Sequence, residues 1–120
     1  MHELNPVINF FDERGQISDL LTEEINSVTL ISFVSGAIRG NHVHYETTQW
    51  TYVVSGKIEG ISSVNNELNA KVYGQGAFLV SNPGEAHAFK ALEPSEILVF
   101  TKGPRSGKDY NLDTFPKKLI

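Results

Sequence analysis

Histidine is the residue type through which this chain can do chemistry. Its 120 residues include four His and no Cys, so disulfides, thiolate nucleophiles and cysteine-bound zinc are excluded. His2 lies in a terminus expected to fray and is assigned no role. His42 and His44 are two residues apart. On an extended chain that spacing puts both imidazoles on one face, about 7 Å apart along the backbone. Such a pair can bite one metal ion from the same side, and imidazole suits Zn, Cu, Fe and Ni. A third ligand from a distant strand would complete a facial set, and His87 is the remaining histidine.

The elements that must position these groups read as short strands. Ten Gly and five Pro are spread along the chain, which favours many short elements over a few long helices. Val7 to Phe11, a turn at Asp12-Glu13-Arg14-Gly15 and Gln16 to Leu20 read as a hairpin. Val28 to Val34, His42 to Tyr45, Gln49 to Val54, Lys57 to Val64, Ala70 to Tyr73, Ala77 to Ser81, Ala86 to Ala91 and Glu96 to Thr101 read as further strands. Regularly punctuated short strands predict an all-β sandwich or small barrel. One helical turn is expected at Leu20 to Asn26. From Lys102 onward the chain is polar and rich in Lys, Gly and Pro, and reads as a meandering tail packed partly on the barrel. The division is a single domain over 1–120: hairpin and turn 1–26, barrel core 27–101, tail 102–120.

Composition removes several function classes. The net charge is -4, which gives no electrostatic footprint for nucleic acid. No apolar run approaches the roughly 18 residues of a membrane helix. The N-terminus lacks the basic start and apolar stretch of a secretory signal, so the cytoplasm is the expected location. In Gln49 to Val54 both strand faces carry large or apolar groups. A half-exposed strand would show one polar face, so the pattern predicts a covered outer face and a homodimer.

The spacing around the histidines is more specific than His-x-His alone. Gly36 is followed by five residues and His42-Val43-His44; four intervening residues lead to Gln49, and six more to Gly56. Gly76 is followed by five residues, Asn82-Pro83-Gly84, two residues and His87. This resembles the two signature motifs of the cupin superfamily. The resemblance implies a double-stranded β-helix, or jelly-roll, barrel with a divalent metal (Zn, Ni, Fe, Mn or Co) in its mouth. The implied ligands are His42, His44, Gln49 and His87. Three positions depart from the family pattern: Gln49 replaces Glu, Asn82 stands at the Pro position, and Ala91 replaces the closing Asn. Gln brings a neutral carbonyl oxygen where Glu would bring charge. Metal affinity should then fall and Lewis acidity towards an anion should rise.

Phe11-Asp12-Glu13-Arg14-Gly15 and Ile38-Arg39-Gly40-Asn41-His42-Val43-His44 also resemble segments of dTDP-4-dehydrorhamnose 3,5-epimerases, dTDP-sugar 3,4-ketoisomerases and capsular-sugar cupin domains. That resemblance implies an isomerase or epimerase of a keto sugar or sugar nucleotide in polysaccharide precursor synthesis. His42 would move the proton, with His44 beside it. Ligation and proton transfer compete for the same imidazole lone pair. Tyr52 or Tyr110 is a candidate acid, or a packing residue. Arg39 is a candidate fork for a phosphate or carboxylate, or an ion-pair partner of Glu46 or Asp12. Arg105 is a candidate substrate contact in a basic loop with Lys108 that otherwise reads as solvated. Glu85 supports His87 or is simply exposed. Two other readings stand beside the isomerase: a metal-dependent oxygenase or lyase of another small molecule, and a non-catalytic sugar-binding cupin.

Overall fold

Alternation of inward and outward side chains, the mark of a strand with one face on a core, organises most of the chain. A computed structural model describes residues 1–120. Its twelve strands are β1 (His2–Leu4), β2 (Val7–Asp12), β3 (Gly15–Asp19), β4 (Ser27–Phe33), β5 (Ile38–Val43), β6 (Thr48–Ser55), β7 (Lys57–Val64), β8 (Glu67–Gly74), β9 (Phe78–Ser81), β10 (Ala86–Ala91), β11 (Ser95–Lys102) and β12 (Phe115–Pro116). Two five-stranded antiparallel sheets result, ordered β1-β9-β6-β11-β4 and β12-β5-β10-β7-β8. The β2–β3 hairpin forms a separate two-stranded sheet. The only helical element is a 3-10 turn at Gly107–Asp109, and no helix is long and apolar enough to cross a membrane.

The core lies between the two sheets. In β11, Ser95, Ile97, Val99 and Thr101 are buried, while Glu96 and Lys102 are exposed. Ile97 and Val99 join Phe33, Val53, Ile58, Leu79 and Phe89 in one apolar cluster. Burying each such side chain contributes roughly 1.5–3 kcal/mol. Gly56 ends β6, with φ at +88°. A Cβ there would stand 2.5 Å from the Pro94 carbonyl oxygen, so space and backbone both require glycine.

Two local expectations are corrected. Leu20 to Asn26 forms no helical turn. Asn26 instead donates its backbone N–H to the Thr101 carbonyl (2.7 Å), and its side-chain oxygen accepts from the Gly103 N–H (2.7 Å). These bonds lead the chain into sheet pairing with β11. The terminus expected to fray is β1, which pairs with β9. The Met1 amine is buried there, donating to Ser62 Oγ (3.0 Å) and paired with Glu85. Glu85 is therefore buried, and it serves the N-terminus rather than His87.

The hairpin projects Val7, Ile8, Phe10, Phe11 and Ile17 into solvent. Val28 and Leu30, on the outer face of β4, are exposed as well.

Candidate metal centre

β5, which carries His42, β10, which carries His87, and the residue just past β5, His44, bring the three histidines together. His87 is in register with His42 across the pair. The next pairing is Ala88 with Gly40, so Asn41 is an extra residue forming a bulge. Asn41 and Gly40 both take positive φ, +56° and +87°. A Cβ on Gly40 would lie 2.9 Å from the His87 carbonyl oxygen, so only glycine lets the two strands close here. Bulges increase local twist and re-aim side chains. The Asn41 side-chain oxygen accepts from the N–H groups of Leu119 (2.8 Å) and Ile120 (3.1 Å). The tail is thus clasped to the bulge, and β12 pairs with β5 from Phe115↔Val43 to Pro116↔His42.

The imidazoles meet closely. One ligand nitrogen from each of His42, His44 and His87 lies within 4.8 Å of the others. The Nε2 atoms of His42 and His87 are 3.0 Å apart. Zinc held by imidazoles at about 2.0–2.1 Å in tetrahedral geometry separates its nitrogens by about 3.3 Å, so the His42–His87 pair is spaced to share an ion. His44 Nδ1–H donates to the Asp113 carbonyl oxygen (2.8 Å). That bond fixes the tautomer and leaves the Nε2 lone pair free. His44 Nε2 is buried and has no hydrogen-bond partner in the protein. A buried acceptor without a partner is costly, and a cation is the partner its lone pair suits. The residues present therefore fit a metal ion, and the cluster can bind one.

Asp113 is a site residue that sequence reasoning missed. Its carboxylate accepts from the backbone N–H groups of Tyr45 and Glu46 (both 2.9 Å) and from Thr47 Oγ1 (2.8 Å). Burial pushes this carboxyl up, but those three bonds outweigh it and hold the group below the ordinary carboxylate value. It takes a left-handed backbone, φ +48°, in a tail whose composition signalled only a loop.

A cavity of about 170 Å³ opens beside the cluster. His42, His87 and Gln49 line it, with Arg39 and Arg105. Its remaining wall is mostly apolar, including Ile31, Phe33, Phe89 and Ile97. Gln49 is 4 % exposed, and its amide donates to Thr51 Oγ1 (3.3 Å). Arg39 makes no ion pair with Glu46 or Asp12. It lies over the Phe33 ring (5.4 Å) and donates to the Ser32 carbonyl (3.2 Å), while Asp12 pairs with Arg14.

Arg105 is not the solvated side chain its loop composition suggested. Thr47 Oγ1 accepts its backbone N–H (3.1 Å), and Gly103 packs tightly on Thr47. These contacts turn the guanidinium inward, whereas Lys108 stays exposed. Tyr52 falls outside the site. It alternates with Gln49, Thr51 and Val53 along β6, and its ring faces Phe78 (6.4 Å). Tyr110 is exposed and does not line the cavity.

All three imidazoles resist protonation. Burial is the largest cause in each case. His42 is lowered from 6.5 to about 4, with further contributions from His44 and Arg105. His87 is pushed well below the ordinary value, and His44 is lowered although the Asp113 carbonyl opposes the shift. Between pH 6.5 and about 4 the unfolded chain binds protons that folded His42 refuses. Stability should therefore fall as the pH falls through that window. Thermal unfolding of the metal-free protein checks this: the midpoint should drop on acidification, and a variant with all three histidines changed to Gln should drop less. Equal slopes would refute the assignment.

Two facing antiparallel sheets with three imidazoles converging beside β5 and β10 define the architecture of the chain. The family described as Cupin matches residues 18–113, and the chain belongs to that family. The jelly-roll expectation is thereby met. No curated protein sequence matches the chain.

Solved structures agree on the fold. The capsular polysaccharide assembling protein CapF from Staphylococcus aureus superposes with a TM-score of 0.71 at 20 % identity, covering 97 % of this chain and 33 % of that one. The chain thus spans about a third of the length of CapF. The rmlC epimerase of Mycobacterium tuberculosis gives 0.67 at 19 %, covering 82 % of this chain and 61 % of that one. The QdtA 3,4-ketoisomerase from Thermoanaerobacterium thermosaccharolyticum, solved as a double mutant in complex with TDP, gives 0.66 at 19 %, covering 82 % and 75 %.

Proposed function

We propose that the chain is a metal-binding cupin that isomerises or epimerises a keto sugar, carried as a nucleotide conjugate. The observation that carries this reading is the convergence of three neutral imidazoles, two of them (His42 and His87) lining a cavity that also holds Arg105. Enolisation needs an electrophile at the carbonyl oxygen and a base at the neighbouring carbon. A divalent ion on His42, His44 and His87 supplies Lewis acidity when bound. Arg105 is placed to steady negative charge that develops on the carbonyl oxygen. The likeness in fold to the rmlC epimerase and the QdtA ketoisomerase supports the substrate class.

No carboxylate or tyrosine lines the cavity, so the proton must move through an imidazole. His42 is the one of the three that is only half-buried, and substrate can reach it. Unligated, its imidazole is neutral at pH 7, as a base requires; proton transfer by His42 therefore leaves the ion to His44 and His87, since one lone pair cannot serve both. The cavity is smaller than the roughly 300–1,000 Å³ of sites that enclose a drug-sized ligand. It accommodates the reacting ring, and the nucleotide lies outside. The apolar faces left open on β4 and the hairpin support a homodimer.

The test is deuterium incorporation from D2O, followed by NMR, beside the carbonyl of a dTDP-linked 4-dehydro sugar. Exchange by the wild type is the expected result. Loss of exchange with metal retained in His42→Ala would assign His42 to the proton. Loss of both would assign it to the metal. No exchange by metal-loaded wild type would overturn the isomerase reading.

A further inference from the structure

Arg105 stands beside the three imidazoles without a counter-ion. Its Nε and Nη1 atoms are buried and have no hydrogen-bond partner in the protein. Behind burial, its charge also opposes protonation of His42, His44 and His87 alike, so the guanidinium weighs on the whole cluster. The cavity wall contains no Asp or Glu, and its remaining charge is the exposed Arg39. Asp113, whose carboxylate acts on His44, is already engaged by Tyr45, Glu46 and Thr47. Gln49 contributes an amide where a carboxylate would neutralise charge.

A divalent cation on this cluster therefore meets a half-buried guanidinium that has no counter-ion and whose Nε and Nη1 are unpartnered. Like charges in a partly dehydrated site repel strongly. An oxyanion seated between the guanidinium and the ion relieves both. We infer that Arg105 makes metal binding at this centre conditional on an anion: a carboxylate or phosphate group docks on Arg105 and raises metal affinity, and the metal raises the affinity of the anion by the same factor. The reciprocity is a thermodynamic necessity once the coupling exists. The consequence is a centre that fills when an anionic ligand arrives and holds its ion weakly otherwise. This inference rests on the three-histidine metal centre proposed above and does not depend on which reaction occurs there.

Co2+ titration of the purified chain, followed by calorimetry and by the visible absorption of the bound ion, tests the coupling. Three conditions are compared: an anion-poor buffer, the same buffer with acetate, and the same buffer with inorganic phosphate. One or both anions should lower the Co2+ dissociation constant by about 5- to 150-fold, the usual range of coupling between sites. Acetate acting alone would assign a carboxylate ligand, and phosphate acting alone a phosphate ester. In Arg105→Gln the anion effect should vanish, and Co2+ should bind tighter than to wild type in anion-poor buffer. Gln49→Glu, with Arg105 intact, should also bind without an anion, which keeps the test open if the arginine variant folds poorly. Co2+ affinity in wild type that ignores both anions would overturn the coupling alone. The same anion effect in Arg105→Gln would also overturn it. No Co2+ binding in any condition would overturn the metal centre and this inference together.

Discussion

His87→Ala should lose the metal: about one ion per chain in the wild type and essentially none in the variant, with affinity down more than about 100-fold. The size follows from the geometry. His87 is 1 % exposed and its Nε2 stands 3.0 Å from that of His42, so it is the buried vertex of the triangle. Changing an outer partner of a metal ligand typically costs 10–100-fold, and removing a ligand itself exceeds that. The variant should still fold. His87 makes no bond in the protein through Nδ1, and an alanine leaves a polar cavity that water can enter. Elemental analysis of protein loaded with Co2+ in acetate or phosphate buffer, beside thermal unfolding, separates loss of the ion from loss of the fold. Unchanged metal content in a folded variant would refute the centre.

Asp113→Ala should be the second large effect, and it should act on two observables. Three donors lose their acceptor at once: the N–H groups of Tyr45 and Glu46, and Thr47 Oγ1. Hydrogen bonds to a charged group contribute about 1.5–3 kcal/mol each in favourable cases; with partial solvent access a total loss of about 2–3 kcal/mol is expected. The same segment carries the carbonyl that holds His44 Nδ1–H. Metal affinity should therefore weaken by about 10–100-fold. Asp113→Asn, which keeps an acceptor oxygen, should lose less of both. The pH dependence has a definite sign. The carboxyl sits below its ordinary value of 3.8 in the folded chain, so its contribution is complete above that value and disappears as pH falls through the lowered one. Urea unfolding at pH 7 and pH 3 should show the wild type and variant converging in acid. Equal stability at pH 7 would refute the clasp.

The sequence carried the histidine pair and the turns because both obey local rules. Residues two apart on an extended chain share a face, so His42 and His44 were legible as a pair, although β5 ends at Val43 and His44 lies just past it. Gly36, Gly56, Gly76 and Gly84 all have φ near +84° to +89°, conformations that glycine signals directly. What could not be read depends on distant contacts. Asp113 lies 69 residues from His44, with no periodicity linking them. Arg105 faces inward in a segment held to Thr47, 58 residues away, through the Arg105 N–H and the close packing of Gly103. Tyr52 and Gln49 sit on the same strand, and parity separates their faces, yet parity alone does not say which face meets the histidines. The hairpin was visible and its position off the barrel was not, since a hairpin is local and its docking is not.

The strand pairings also impose an order in time. β4 waits for β11, with Ser27 opposite Thr101, and β1 waits for β9, with His2 opposite Val80. Non-local pairing of this kind slows folding, because long loops must close before any contact rewards them. On the ribosome, where residues emerge at about 5–20 per second, His42 and His44 are exposed several seconds before Asp113 exists to orient them. The centre can therefore be assembled only after the tail has been synthesised. Any ion taken up at this cluster can meet its oriented ligands only once residue 113 has left the ribosome.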